Sequence, residues 1–74
     1  MNLCILGSTG SIGLQTLDVV RSDGTIRVKA LAAGHNIDMV LEQIHEFHPS
    51  ICCIFDTQKA EILAERLRQE GNDT

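Results

Sequence analysis

Three glycines spaced three residues apart, in Gly7-Ser8-Thr9-Gly10-Ser11-Ile12-Gly13, separate a short apolar run from a stretch with helical periodicity. Glycine reaches positive φ and carries no Cβ, so main-chain N–H groups in such a loop can approach an anion closely. The helix behind it adds unpaired N-terminal N–H groups and the positive end of its dipole. The pattern predicts a strand, loop and helix that cradle a phosphate, and the rest of the chain reads as scaffolding for that cradle.

The apolar run, Asn2 to Leu6, suits a parallel strand covered on both faces. From Ser11 to about Ser22, Ile12, Leu17 and Val20 fall near helical spacing with small Gly13 and Thr16, and Ser22-Asp23-Gly24 stops the helix. Thr25 to Ala32 alternates as a second strand, with Ile26, Val28, Ala30 and Ala32 on one face and Arg27 and Lys29 on the other. The loop Ala33-Gly34-His35-Asn36 follows, and Asn36 can cap the next helix. In Ile37 to Phe47 the apolar residues Ile37, Val40, Leu41 and Ile44 form one stripe, with Asp38, Glu42, Gln43 and Glu46 facing away, and Pro49 prevents continuation. Ile51 to Phe55 is a third apolar strand. Asp56 or Thr57 then caps a helix to about Glu70, with Ala60, Leu63, Ala64 and Leu67 inside and Gly71 as its C-cap.

Strand and helix thus alternate three times. Right-handed crossovers between parallel strands give a Rossmann-like α/β fold of three βα units, strand order 3-2-1, the truncated half of a doubly wound sheet. A complete dinucleotide-binding fold needs more strands than 74 residues hold, so residues 1–74 are expected to be the amino-terminal part of a larger nucleotide-binding domain. The first strand then lies at an open sheet edge, and the isolated chain is expected to self-associate there or fold poorly.

Composition removes several classes of function. The net charge is −4 with six scattered Lys and Arg, which argues against nucleic acid or an anionic membrane as partner. Phe47 and Phe55 are the only aromatic residues, too few for a base-stacking platform. No segment approaches the roughly 20 apolar residues of a membrane span. The first strand begins at once, leaving no room for a leader peptide, so a cytoplasmic protein, or an already processed one, is expected. Cys4, Cys52 and Cys53 are odd in number and sit in apolar strands, as small hydrophobes of a reducing compartment do.

The glycine loop meets the context of a dinucleotide site: a strand before, a helix after, and a second strand ending about 20 residues further on. Its spacing departs from the usual G-x-G-x-x-G, giving a longer loop whose Ser8, Thr9 and Ser11 hydroxyls can join the backbone donors on a pyrophosphate. No Lys follows the last glycine, so it is not a nucleoside triphosphate loop. At the end of the second strand an acid would accept from the ribose 2′-hydroxyl of NAD and repel a 2′-phosphate. This chain has Ala33-Gly34-His35-Asn36 instead: room at Gly34, donors at Asn36, and a group at His35 that donates or carries charge. The expectation is NADP. His45, His48 and Cys52-Cys53 do not make a metal site, because Pro49 interrupts the helix and adjacent strand residues point apart.

Ile5-Leu6-Gly7-Ser8-Thr9-Gly10-Ser11-Ile12-Gly13, then Gln15 to Arg21 and Ala30-Leu31-Ala32-Ala33-Gly34-His35-Asn36, closely resemble the start of the 1-deoxy-D-xylulose 5-phosphate reductoisomerase family. The resemblance covers essentially the whole chain. It implies conversion of 1-deoxy-D-xylulose 5-phosphate, a phosphorylated sugar, into 2-C-methyl-D-erythritol 4-phosphate in non-mevalonate isoprenoid synthesis. The reaction is a skeletal rearrangement followed by hydride transfer from NADPH, with Mg²⁺ or Mn²⁺, in a homodimer. Carried over by position, Thr9, Gly10, Ser11 and Ile12 contact the NADPH pyrophosphate and its neighbours, and Gly34, His35 and Asn36 surround the adenosine ribose and its 2′-phosphate. Many members carry Lys where this chain has His35, so charge there depends on pH. The family's catalytic and metal-binding residues lie beyond Thr74. Read from the residues alone, another NADP-dependent oxidoreductase, such as a semialdehyde dehydrogenase, or a free-standing nucleotide-binding module without catalysis, stays open.

Overall fold

Six elements alternate along the chain in a computed structural model, which describes residues 1–72 and 74: β1 (Asn2–Leu6), α1 (Ser11–Ser22), β2 (Arg27–Ala33), α2 (Ile37–Phe47), β3 (Ile51–Ile54) and α3 (Thr57–Glu70). The strands pair in parallel in the order β1-β2-β3, the expected 3-2-1 arrangement. Ile5, Val28, Leu31, Ala33 and Ile54 on the sheet form one buried cluster with Leu17 and Val20 of α1, Ile37, Val40 and Ile44 of α2, and Leu63 and Leu67 of α3. Ala60 of α3 is partly buried against this cluster, while Ala64, expected inside, is exposed.

Helix ends follow local chemistry. Asn36 accepts from the Met39 N–H at 3.3 Å, and Asp56, rather than Thr57, accepts from the Lys59 N–H at 3.1 Å. His48 closes α2 at φ 50°, immediately before Pro49, and Gly71 closes α3 at φ 71°. Between helices, Arg21 of α1 binds Glu46 of α2, while Arg66 of α3 reaches Asp38 at 2.8 Å.

The sheet departs from the expected pattern in two ways. Leu3 pairs with Val28 but Cys4 with Ala30, so β2 carries one extra residue, a bulge. A bulge reverses side-chain alternation. Val28 and Leu31 therefore both face the helices, while Ala30 and Ala32 pair with Cys4 and Leu6 and share their side, correcting the single face expected for Val28, Ala30 and Ala32. Second, the strands are covered on one face, not both. Leu6 is 77% exposed and Phe55 68%, and Cys4 and Cys53 are exposed rather than buried. Successive right-handed crossovers in one direction place their helices on the same side of the sheet. Only Cys52 is half-buried, and burial, followed by the neighbouring Cys53, pushes its thiol up to about 11. Among the described residues, no helix is long and apolar enough to cross a membrane.

Candidate nucleotide-binding site

Leu6 pairs with Ala32, so β1 and β2 end side by side. The chain leaves β1 through Gly7 at φ 78°, a conformation that a side chain strongly disfavours. The Gly7 and Ser8 N–H groups both donate to the Ala32 carbonyl oxygen, at 2.7 and 2.9 Å, stitching the loop to the end of β2. The Gly10 N–H donates back to the Gly7 carbonyl at 3.0 Å, closing a tight turn. Gly10 is the N-cap of α1 and has no side chain to satisfy the helix end; the first helical bond runs from the Leu14 N–H to the Gly10 carbonyl. The Ser11, Ile12 and Gly13 N–H groups therefore have no acceptor within the helix, as at any helix start, and here no capping side chain competes for them. Gly13 brings α1 onto the loop: a Cβ there would lie 2.8 Å from the Ser8 Cα.

The second loop sits one strand away at the same carboxyl edge of the sheet. The Phe55 and Asp56 N–H groups donate to the Ala33 and Gly34 carbonyls at 3.0 and 2.9 Å, which ties it to the end of β3. A Cβ built on Gly34 would meet nothing within 4 Å, so the loop has open space there. His35 and Asn36 are exposed. Asn36 serves two ends at once: its Oδ1 caps α2, which leaves its Nδ2 free to donate outward. No acid stands between Ala33 and Asn36, and the donors, the space and the missing acid suit a pyrophosphate on the first loop and a 2′-phosphate on the second.

The fold brings all seven sequence-selected residues to this edge. Thr9 is half-buried, and Gly10, Ser11, Ile12, Gly34, His35 and Asn36 are exposed. Ile12, expected on the packed face of α1, is instead 79% exposed at the helix start. Ser8 is fully buried, so its hydroxyl does not reach the surface where a phosphate would lie.

Sequence reasoning missed Gln43. It was expected to face away, yet it is 4% exposed and its Nε2 donates to the Ser8 carbonyl at 2.8 Å. The available signal was spacing, since Gln43 follows Val40 by three residues and flanks the apolar stripe. A cleft of about 600 Å³ opens elsewhere, between Arg27, Lys29, Phe47 and His48 at the amino edge of the sheet. Among the described residues no three His, Cys, Asp or Glu side chains converge to hold a metal.

A family model described as 1-deoxy-D-xylulose 5-phosphate reductoisomerase matches residues 3–74. A protein of that name from Lachnoclostridium phytofermentans is 52% identical over 65 residues, covering 88% of this chain and 17% of that protein. Its namesake from Nitrosomonas europaea is 50% identical over 74 residues, 99% of this chain and 18% of that protein. A crystal structure of DOX-P reductoisomerase in complex with NADPH, fosmidomycin and magnesium superposes with a TM-score of 0.90 at 36% identity. That match covers 100% of this chain and 18% of the solved one. The chain thus spans less than a fifth of the length of these relatives.

Proposed function

The chain belongs to the 1-deoxy-D-xylulose 5-phosphate reductoisomerase family, and from that premise we propose that residues 1–74 are the NADPH-binding amino-terminal part of such an enzyme. The parent protein would convert 1-deoxy-D-xylulose 5-phosphate into 2-C-methyl-D-erythritol 4-phosphate as a cytoplasmic homodimer, with a divalent cation held outside this segment. NADPH, when bound, supplies the hydride.

In this reading the chain's own residues bind and orient; none is catalytic. Thr9, Gly10, Ser11 and Ile12 receive the pyrophosphate through main-chain N–H groups at the start of α1, aided by the hydroxyls of Thr9 and Ser11. Gly34 leaves space for the ribose 2′-phosphate, and Asn36 donates to it through Nδ2, while His35 adds charge when protonated. The observation that carries the proposal is the pair of bonds from Gly7 and Ser8 to Ala32. They hold an anion-receptive helix start beside a loop free of acids.

Titration of NADPH and of NADH onto the whole protein that carries this chain tests it. NADPH is expected to bind at least about tenfold more tightly, a difference of roughly 1.4 kcal/mol. Equal binding of the two cofactors would overturn the assignment of Gly34 to Asn36.

A further inference from the structure

The two loops are joined inside the molecule by one side chain. Gln43 lies two turns into α2, the helix that Asn36 begins, and its Nε2 donates at 2.8 Å to the carbonyl of Ser8, 35 residues earlier in the chain. Both residues are buried, Ser8 completely. Only the NH₂ end of the amide can face that carbonyl, because the flipped amide would set two acceptors against each other. The glycine loop is thereby held from three sides: by the Ala32 carbonyl on β2, by Gly13 of α1 under Ser8, and by Gln43 of α2.

Gln43 is a poor choice for stability alone. Its Oε1, like the Ser8 hydroxyl, is buried without a hydrogen-bond partner among the described residues. Such a half-satisfied amide costs stability that a leucine would not. What the glutamine adds is a directional bond to a single atom of the loop.

We infer that Gln43 is a positioning residue for the cofactor site. Through the rigid body of α2 it sets the spacing between the Gly7–Gly10 turn and the Gly34–Asn36 loop. A ligand that engages both loops, as a dinucleotide carrying a 2′-phosphate does, depends on that spacing more than one that engages the glycine loop alone. The inference rests on the NADPH reading for its ligand, but the hold on the loop does not.

Amide hydrogen exchange and cofactor titration on the whole protein that carries this chain test it, with Gln43→Met, which keeps length and loses the donor, beside Gln43→Leu. Val40→Ala, a core truncation one turn earlier on α2, is the control for lost stability. In Gln43→Met the Gly7 and Ser8 amides are expected to exchange at least about tenfold faster than in the unaltered chain, relative to the α2 amides. The preference for NADPH over NADH is expected to fall by about tenfold. Val40→Ala should leave both ratios unchanged. Unaltered exchange at Gly7 and Ser8 in both Gln43 variants, or the same loss in Val40→Ala, would overturn the proposal. If the unaltered whole protein binds neither cofactor, the functional reading fails while the exchange ratio still decides the role of Gln43.

Discussion

Gly13 rests directly on Gly7: a Cβ on residue 13 would lie 2.3 Å from the Gly7 carbonyl oxygen, a contact that no rotamer can relieve. Helix propensity favours alanine over glycine by about 1 kcal/mol, but overpacking against fixed backbone costs about 1–3 kcal/mol and moves α1 off the loop. Gly13→Ala is therefore expected to lower stability in urea unfolding and to weaken NADPH by at least about tenfold. Gly10, with a Cβ contact of 3.4 Å and extended backbone, is the contrast. Gly10→Ala should cost less, about 0.5–1 kcal/mol, the difference between glycine and alanine at an N-cap.

Asn36 separates capping from recognition. Asn36→Asp keeps an oxygen to accept from the Met39 N–H, so helix stability is expected to hold, while the new negative charge repels a 2′-phosphate. Binding titrations should show NADPH weakened by about tenfold and NADH little changed. Asn36→Ala loses the cap as well, at a cost of about 1 kcal/mol read by thermal unfolding.

Arg21 binds both carboxylate oxygens of Glu46, also reaches Asp18, and lies 5.2 Å from the Phe47 ring centroid. The hydrogen bond from Arg21 holds the Glu46 carboxyl below its ordinary value of 4.5. Because the folded value is the lower one, the stabilisation is fully present above the unfolded value and is lost as pH falls through the folded value. The pair is exposed and solvent-screened, so its contribution at neutral pH is at most about 1 kcal/mol. Denaturation of Glu46→Gln against the unaltered chain should show that difference near pH 7, shrinking in acid and in about 1 M salt.

Thiol labelling should follow burial. The Cys52 thiol, pushed up to about 11, is almost wholly protonated at pH 8, whereas Cys4 and Cys53 lie exposed. With iodoacetamide at pH 8, peptide mapping is expected to show Cys52 modified at least about tenfold more slowly than the other two. Equal rates would mean that α3 does not stay seated over β3.

Much of the site was legible because its chemistry is local. Asn36, Asp56 and Gly71 end or begin helices through bonds within a few residues, so α2 and α3 were read with their observed bounds. The glycine loop signals itself through positions where a Cβ cannot stand. Other features answer to distant partners. The bulge at Lys29 exists only in the pairing of β2 with β1, and no alternation within β2 reveals it.

The sequence by itself determined the order of elements, the phosphate-receptive loop and the acid-free loop, because caps, glycine conformations and hydrophobic periods act over a few residues. Only the tertiary structure decided which strand face is covered, where Ile12 points, and that Gln43 holds Ser8. Those outcomes depend on which segments the crossovers bring together, and a hydrogen bond spanning 35 residues leaves no local trace.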